Sequence, residues 1–289
     1  MGAIFNFIKP INRNDSINLY KMQQNTIETC RACGCFEITP TNKGILLGDV
    51  NVFYFRCNKC GYVQTERPFW LDRAYTSAIN DTDTGIIERN CTNRRIVLGL
   101  LLLSGNLKSR VVDFAGGYGI LVRMLRDRGV DALWMDEYCK NLVAIGFERT
   151  NETAHVVTAF EAFEHFVKPA EELDRMFAIA PNVLISTLLI TDPAPNISDW
   201  WYYGTEHGQH IGFATLCTLQ LIAKKRNKFF VSDGKSYHLF SDKPISKTMW
   251  LVIVFGGKLP AVIFTKLFKS NTWFDHLARK KINGASETL

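Results

Sequence analysis

The sequence predicts an α/β protein, in which a mostly parallel, doubly wound sheet follows a small cysteine-rich module. Between residues 110 and 187, short apolar runs alternate with helical patterns, as expected for a parallel sheet covered by helices on both faces. The glycine-rich turn DFAGGYG follows the first of these runs. Five of the eight cysteines lie within residues 30–60, which marks a separate module in front of the sheet.

Composition and charge indicate an ordinary globular protein. The chain has 289 residues, of which 47% are hydrophobic and 21% charged, the values of an ordinary globular protein rather than a disordered one. Lys and Arg exceed Asp and Glu by six, but the basic residues are scattered along the chain. This distribution argues against a nucleic-acid partner.

Membrane and secretory signals are not evident. The most apolar runs, residues 96–103 and 250–255, are much shorter than the roughly twenty residues that cross a bilayer. Lys9, Pro10 and Arg13 interrupt any signal-peptide core. We therefore expect a cytoplasmic protein without a membrane partner, and the sequence leaves its oligomeric state open.

The chain divides into four predicted parts. They are an N-terminal arm (1–27), a metal-binding ribbon (28–68), a helical bridge (69–105) and the main α/β domain (106–289). Within the last part, apolar runs predict strands at 110–115, 131–136, 154–160 and 182–187, with helices at 118–129 and 169–180. Three further strands are expected at 228–233, 237–241 and 249–255.

The turn after the first strand of this domain predicts a ligand site. Small residues at Ala115, Gly117 and Gly119 let the backbone approach a ligand, and the following helix offers free N–H groups. Asp136 ends the next strand, where it can accept hydrogen bonds from a ribose. The carboxylate of Asp113 would repel a pyrophosphate but suits a cationic ligand.

This acid and small-residue spacing resembles motif I of the class I S-adenosylmethionine-dependent methyltransferases. The resemblance implies a Rossmann-like methyltransferase sheet, with Asp113, Gly117 and Gly119 around the methionine end of the cofactor and Asp136 at its ribose. Ala115 stands where the family has its first glycine. The predicted cofactor site also includes Gly116, Tyr118 and, at the end of the strand in VVTAFEAFEHF, Glu161.

Two C-x-x-C-G segments, CRACG and CNKCG, predict a structural zinc site. Their cysteines are Cys30, Cys33, Cys57 and Cys60, and 23 residues separate the two pairs. Four thiolates at this spacing close a tetrahedral zinc shell and leave no open position for catalysis. Cys35 could replace Cys33 as a ligand. The ribbon has a mixture of basic and acidic residues, so it lacks the footprint of a nucleic-acid binder.

A four-cysteine ribbon before a helical bridge and a methyltransferase domain resembles the sugar C-methyltransferases and a wider group of related enzymes. The resemblance runs over residues 28–255 and implies a sugar-like small-molecule acceptor. That family has a Tyr-x-Glu-His motif whose histidine acts as a base. Glu206 and His207 match its last two residues, whereas Tyr203 lies one position too far away.

The segment DWWYYGTEHGQHIGF (199–213) is the predicted acceptor loop. A neutral imidazole oriented by a carboxylate can remove a proton from a hydroxyl or a carbon acid, so His207 with Glu206 is the predicted base. His210 is a second candidate. The resemblance to the sugar C-methyltransferases implies that Tyr75 and Tyr203 also lie at the active site. Alternatives are an O-methyltransferase of another metabolite, a cofactor-binding non-catalytic subunit and a zinc-ribbon nucleic-acid methyltransferase.

Overall fold

The computed structural model describes residues 29–76, 83–256, 262–263 and 266–286, the last six of these by their backbone alone. The predicted N-terminal arm, residues 1–27, lies outside the described residues. The elements in chain order are β1 (Ile38–Leu46), β2 (Val50–Cys57), β3 (Val63–Thr65), α1 (Leu71–Ala74), α2 (Ile86–Leu103), β4 (Val111–Phe114), α3 (Ile120–Arg126), β5 (Ala132–Met135), β6 (Val156–Phe160), α4 (Pro169–Ile179), β7 (Asn182–Ser186), β8 (Gly212–Phe213), α5 (Leu216–Lys225), β9 (Phe229–Ser232), β10 (Tyr237–Ser241), α6 (Lys247–Phe255) and α7 (Thr272–Ser286).

The main sheet has six described strands in the order β5-β4-β6-β7-β10-β9. The pairs β5·β4, β4·β6 and β6·β7 are parallel, whereas β10 runs antiparallel to both of its neighbours. The sheet is therefore mostly parallel, as predicted. Because β4 to β7 run in the same direction, their carboxyl ends lie along one edge, which is where ligands bind in such sheets.

Helices cover both faces of this sheet. Adjacent residues in the parallel strands belong to different apolar clusters: Val111 packs with α2, α3 and α6, and Val112 packs with α4 and α5. This split follows from the alternation of side chains along a strand. It confirms the doubly wound arrangement that the alternating sequence pattern predicted.

One predicted strand is wrong. Residues 249–255 belong to helix α6, whose first turn is capped by the Ser246 hydroxyl accepting a hydrogen bond from the Met249 amide at 3.2 Å. The run is apolar all round, and such a run does not distinguish a strand from a buried helix. Its three buried side chains, Trp250, Ile253 and Val254, belong to the apolar cluster that also contains residues of α2 and α3.

The cysteine-rich module is joined to the main domain by hydrogen bonds. Strands β1, β2 and β3 form an antiparallel sheet, and β8 adds a fourth strand through the pairing of Val63 with Phe213. Strand β8 is the last part of the predicted acceptor loop (199–213), so this pairing attaches the loop to the edge of the ribbon sheet. Among the described residues, no helix has both the length and the apolarity needed to cross a bilayer.

Candidate active site and cysteine cluster

The four predicted zinc ligands lie together. The sulfur atoms of Cys30, Cys33, Cys57 and Cys60 are all within 4.8 Å of one another and buried. Two of the distances, Cys33 to Cys57 at 3.6 Å and Cys30 to Cys60 at 3.7 Å, match the ~3.8 Å between sulfurs around tetrahedral zinc with bonds of about 2.3 Å. Cys35 does not belong to this group. The donor set therefore fits zinc.

Both knuckles have the same backbone turn. The Gly34 amide donates to the Cys30 carbonyl at 2.8 Å, and the Gly61 amide donates to the Cys57 carbonyl at 2.9 Å. Each glycine has a left-handed φ, +74° and +75° respectively, a conformation that other residues adopt at a cost. The glycine after each cysteine pair therefore lets the backbone turn below the sulfur atoms.

The glycine turn lies between β4 and α3. Ala115, Gly117 and Gly119 all have positive φ values, of 57°, 54° and 86°. At Gly119 a Cβ atom would lie 2.7 Å from the Asn141 side-chain oxygen and 2.9 Å from the Ala144 Cβ, so close packing also requires glycine there. Ala115 adopts the left-handed conformation with a methyl group in place, at the position where the methyltransferase motif has glycine.

Asp136 organises this turn from the end of β5. Its Oδ2 accepts a hydrogen bond from the Gly117 amide at 2.9 Å, and its Oδ1 accepts from the amides of Tyr138 and Cys139 at 2.7 and 2.8 Å. The carboxylate thus connects the glycine turn to the loop after β5. It lines the same cavity as the predicted cofactor residues Asp113, Gly116 and Tyr118.

Asp113 is a buried carboxyl below the turn. Thr158 on β6 donates a hydrogen bond to its Oδ1 at 2.7 Å. Burial raises the pKa of Asp113 to about 7, although the Thr158 hydrogen bond acts in the opposite direction. A cation in the cavity would favour the ionised form of this carboxyl.

Glu161 is a second carboxyl with a raised pKa, at the carboxyl end of β6. Burial, and then the nearby Glu164, raise its pKa to about 7. The Ser186 hydroxyl donates to its Oε1 at 2.5 Å, and its backbone has a positive φ of 49°. The residue lines the cavity, and its part in cofactor binding stays a prediction.

Replacing Glu161 by glutamine is expected to make the protein more stable relative to wild type as the pH rises from 5 to 8. A carboxyl with a raised folded pKa stabilises the fold below its ordinary pKa near 4.5, and this stability is lost as the pH rises through about 7. Glutamine has no charge to bury, so the difference in unfolding free energy should grow by about 2 kcal/mol. Urea unfolding at each pH measures it.

The control is Glu171→Gln, which removes an exposed carboxyl on α4. Its difference from wild type should not change with pH in this way. A difference for Glu161→Gln that stays constant from pH 5 to 8 would contradict the expected ionisation.

Glu164 joins the end of β6 to the acceptor loop. Its carboxylate accepts a hydrogen bond from the Tyr202 hydroxyl at 2.6 Å, and its backbone carbonyl accepts from the Ile211 amide at 2.9 Å. The Leu188 amide donates to the Tyr202 hydroxyl at 3.2 Å. Through these buried hydrogen bonds, Glu164 holds both Tyr202 and Ile211, which lie near the two ends of the acceptor loop, against the end of β6.

His210 has one nitrogen that can accept a proton. Its Nδ1 lies 2.6 Å from the Tyr202 carbonyl oxygen, and because a carbonyl only accepts, Nδ1 must donate. In the neutral ring the lone pair is therefore on Nε2. Burial lowers the pKa of His210, which keeps that nitrogen unprotonated at neutral pH, and the residue lines the cavity.

His207 has the opposite tautomer. Its Nδ1 accepts a hydrogen bond from the Gln209 amide at 3.1 Å, so the proton of the neutral ring is on Nε2, which lies 3.9 Å from the Glu206 carboxylate. Burial, and then His210, lower the pKa of His207 to about 4. The predicted pair of Glu206 and His207 is present in the cavity, but the lone pair of this imidazole is already engaged.

Tyr75 and Tyr203 occupy different environments. The Tyr75 hydroxyl lies 2.9 Å from His165 Nδ1 and lines the cavity. Tyr203 is instead buried in the aromatic core below the ribbon, where its hydroxyl donates to the Pro195 carbonyl at 3.0 Å. Its position does not support the predicted catalytic role, because the adjacent Tyr202 faces the cavity instead.

One cavity of about 1140 Å³ contains these groups. This exceeds the roughly 300–1,000 Å³ of a typical small-molecule site, so it has room for a cofactor and an acceptor. The glycine turn, Asp136 and Glu161 form one wall, which we call the cofactor wall. The start of α2 and the cavity-lining residues of the acceptor loop form the other, which we call the acceptor wall. These loop residues are Trp201, Tyr202, Glu206, His207, Gln209 and His210.

Several cavity residues were not among the predicted site residues. They are Arg89, Asn90, His165, Trp201 and Tyr202. Arg89 forms an ion pair with Asp83, and His165 contacts His210 edge to face with ring centres 4.8 Å apart. Each lies in a segment that the family resemblance covered, but only the folded chain brings α2, the end of β6 and the acceptor loop together.

Comparison with known proteins identifies a family model that matches part of the chain. Residues 87–228 match the family model described as "Methyltransferase domain". No curated protein matches the chain significantly. The chain is similar to CalO1, a methyltransferase in calicheamicin biosynthesis, at 13% identity over 54% of this chain and 55% of that chain, with a TM-score of 0.38. It thus spans about half the length of CalO1.

Two further solved structures are similar to the chain. One is magnesium protoporphyrin IX methyltransferase from Synechocystis PCC 6803, at 13% identity over 60% of this chain and 94% of that chain, with a TM-score of 0.40. The other is an O-methyltransferase family protein from Burkholderia thailandensis, at 15% identity over 60% and 68% of the two chains, with a TM-score of 0.40. Residues 87–228 therefore match a methyltransferase domain, and the mostly parallel, doubly wound sheet has the α/β methyltransferase fold.

Proposed function

We propose that the chain transfers a methyl group from S-adenosylmethionine to a sugar-like small-molecule acceptor, with His210 as the general base. The observation that carries this proposal is that one cavity contains both the cofactor wall and a polar acceptor wall with an unprotonated imidazole nitrogen. A non-catalytic cofactor-binding subunit would need only the first of these walls.

The cofactor wall suits S-adenosylmethionine. Asp136 would accept hydrogen bonds from the ribose hydroxyls, while the glycine turn leaves the backbone open to close approach. Asp113 and Glu161 supply negative charge near the cationic end of the cofactor. The bound cofactor supplies an electrophilic methyl group on a sulfonium.

The acceptor wall suits a hydroxylated molecule. Asn90 offers a hydrogen-bonding group, and the exposed ring of Trp201 provides a flat apolar surface for the face of a sugar. Arg89 is the cation on the described part of this wall, and its ion pair with Asp83 offsets its charge. This supports an acceptor whose reacting end is uncharged.

The base acts on the acceptor. As the acceptor oxygen or carbon forms its bond to the methyl carbon, His210 Nε2 takes the acceptor's proton and the electron pair of the breaking carbon–sulfur bond stays on sulfur. The Tyr202 carbonyl stabilises the imidazolium by accepting from Nδ1. The sequence-based assignment of Glu206 and His207 to this role is the second candidate.

We also propose that the four-cysteine cluster binds a structural zinc ion through Cys30, Cys33, Cys57 and Cys60. Four thiolates fill the coordination shell, so the ion would stabilise the ribbon and take no part in methyl transfer. The spacing of the sulfur atoms supports this proposal.

Replacing Asp136 by alanine is expected to raise the Kd for S-adenosylhomocysteine about 10- to 100-fold. The variant loses a charged acceptor for the ribose, worth about 1.5–3 kcal/mol, and also the hydrogen bond that fixes the Gly117 amide. Isothermal titration calorimetry measures the change.

The matched control is Asp131→Ala, which removes an acid just before β5 that pairs with Arg110 at 2.7 Å. This variant should bind S-adenosylhomocysteine as wild type does. If wild type itself gave no binding heat, or if both variants bound equally well, the cofactor assignment would fail. Nucleotide-linked and free deoxysugars added to the complex then test the acceptor class.

A further inference from the structure

The chain from α6 to α7 exposes a set of large apolar side chains. Its members are Val252, Phe255, Val262, Leu267, Trp273 and Phe274, each between 49% and 68% exposed, and we call them the C-terminal apolar surface. Monomeric soluble proteins rarely expose so many large apolar side chains within one short segment, and such patches mark interaction sites.

Both helices are fixed to the same layer of the protein. Helix α6 buries Trp250, Ile253 and Val254 in the cluster that also contains α2 and α3. Helix α7 is held to the end of α3, where Asp275 forms ion pairs with Arg126 at 2.7 Å and Arg123 at 2.8 Å. The exposed apolar side chains therefore lie on the outer side of this layer, which faces away from the sheet.

After its first residue, Lys247, helix α6 has no charged side chain on any side. The sequence TMWLVIVF contains no charged residue, yet Val252 and Phe255 are more than half exposed. A helix that is apolar all round is ordinarily covered on every side. The outer side of α6 therefore requires a cover that the rest of this chain, in its described part, does not provide.

The segment that carries this surface is rich in basic residues. Residues 247–280 contain six Lys or Arg and one acid, Asp275, which is buried and neutralised by its arginine partners. Lys266, Lys269 and Lys280 are exposed. A second copy of this chain would bring the same positive charges together, whereas anionic lipid headgroups complement them.

We infer that the C-terminal apolar surface docks on the surface of an anionic lipid bilayer. Aromatic and aliphatic side chains would enter the boundary between headgroups and acyl chains while the lysines contact the phosphates. This inference goes beyond the proposed methyl transfer. The expectation of no membrane partner rested on the lack of a spanning segment, and helices lying on a surface need none.

Vesicle co-flotation of the full chain tests the inference. Vesicles of phosphatidylcholine with 30% phosphatidylglycerol (about one lipid in three anionic) should bind the protein, and pure phosphatidylcholine should bind it at least about tenfold less. The double variant Trp273→Ser/Phe274→Ser should weaken binding to the anionic vesicles at least about tenfold. Lys266→Glu/Lys269→Glu should do so as well.

The matched control is Phe36→Ser/Phe69→Ser, which removes one exposed aromatic side chain from the ribbon and one from the start of the helical bridge and should leave vesicle binding unchanged. Thermal unfolding checks that each variant is folded. No flotation of the wild type, or flotation that is insensitive to the Trp273/Phe274 change, overturns the inference. A concentration-dependent dimer that this change disperses, without lipid binding, would identify the surface as a protein interface instead.

Discussion

Replacing His210 by asparagine is expected to lower kcat by about 10²- to 10⁴-fold, the usual contribution of a general base. Asparagine can still donate from its side-chain nitrogen to the Tyr202 carbonyl, which His210 Nδ1 contacts at 2.6 Å. It has no nitrogen that accepts a proton, so the loop keeps its anchor and loses only the base. Steady-state assays of S-adenosylhomocysteine release measure the loss.

His207→Asn is the matched comparison. The asparagine oxygen can replace His207 Nδ1 as the acceptor of the Gln209 amide, and the change should cost only a few-fold in kcat. Binding of S-adenosylhomocysteine should be unchanged in both variants, because neither residue belongs to the cofactor wall. A large loss in His207→Asn with little loss in His210→Asn would return the role to the Glu206–His207 pair.

The pH profile distinguishes a base from a residue that only positions the acceptor. Burial lowers the pKa of His210, so wild-type kcat should be constant around pH 7 and fall only below about 6.5, the ordinary pKa of histidine. In His210→Asn this acidic limb should vanish. A purely structural role would reduce kcat at every pH and leave the limb in place.

The strands of the parallel sheet and the cysteine pairs could be predicted because they depend on sequence patterns over a few neighbouring residues. Strands β4 to β7 follow from short apolar runs, and the two cysteine pairs that lie together follow from their spacing. Helix α6 was predicted as a strand because an apolar run carries no period. The serine at 246, which caps the helix, was the available signal.

The geometry of the active site depends more on contacts between residues that are far apart in the sequence. Tyr202 and Tyr203 are adjacent in sequence, and only the packing of Tyr203 against the ribbon decides which of them faces the cavity. The tautomers of His207 and His210 likewise depend on their partners Gln209 and Tyr202. Residue types and spacing could place the histidines near the acceptor, but could not decide which nitrogen is free.

Replacing Cys57 by serine is expected to abolish zinc binding and unfold the ribbon. Structural zinc sites contribute about 10–16 kcal/mol in apparent binding free energy, which is comparable with the entire stability of an ordinary domain, about 5–15 kcal/mol. Serine cannot replace a thiolate as a strong zinc ligand. Zinc content measured by atomic absorption should fall from one ion per chain to nearly none.

Methyl transfer should be lost in the same variant, although the cysteines are not in the cavity. The ribbon and the start of the bridge support the acceptor loop. Arg31 of the ribbon donates to the Ile211 carbonyl at 2.5 Å, and the indole of Trp70, two residues after the ribbon, donates to the Gly208 carbonyl at 2.8 Å. Without a folded ribbon, these anchors disappear and His210 loses its position. The glycine turn and Asp136 belong to the main sheet, so S-adenosylhomocysteine should still bind.

Cys35→Ser and Cys217→Ser are the controls, because neither sulfur belongs to the four-cysteine cluster. Both variants should keep one zinc per chain and near wild-type activity. Loss of zinc in Cys35→Ser with retention in Cys33→Ser would show that Cys35, and not Cys33, is the zinc ligand. A Cys57→Ser variant that keeps its zinc and its resistance to proteolysis would show that the ribbon folds without the metal, and the dependence of the acceptor loop on zinc would then be wrong.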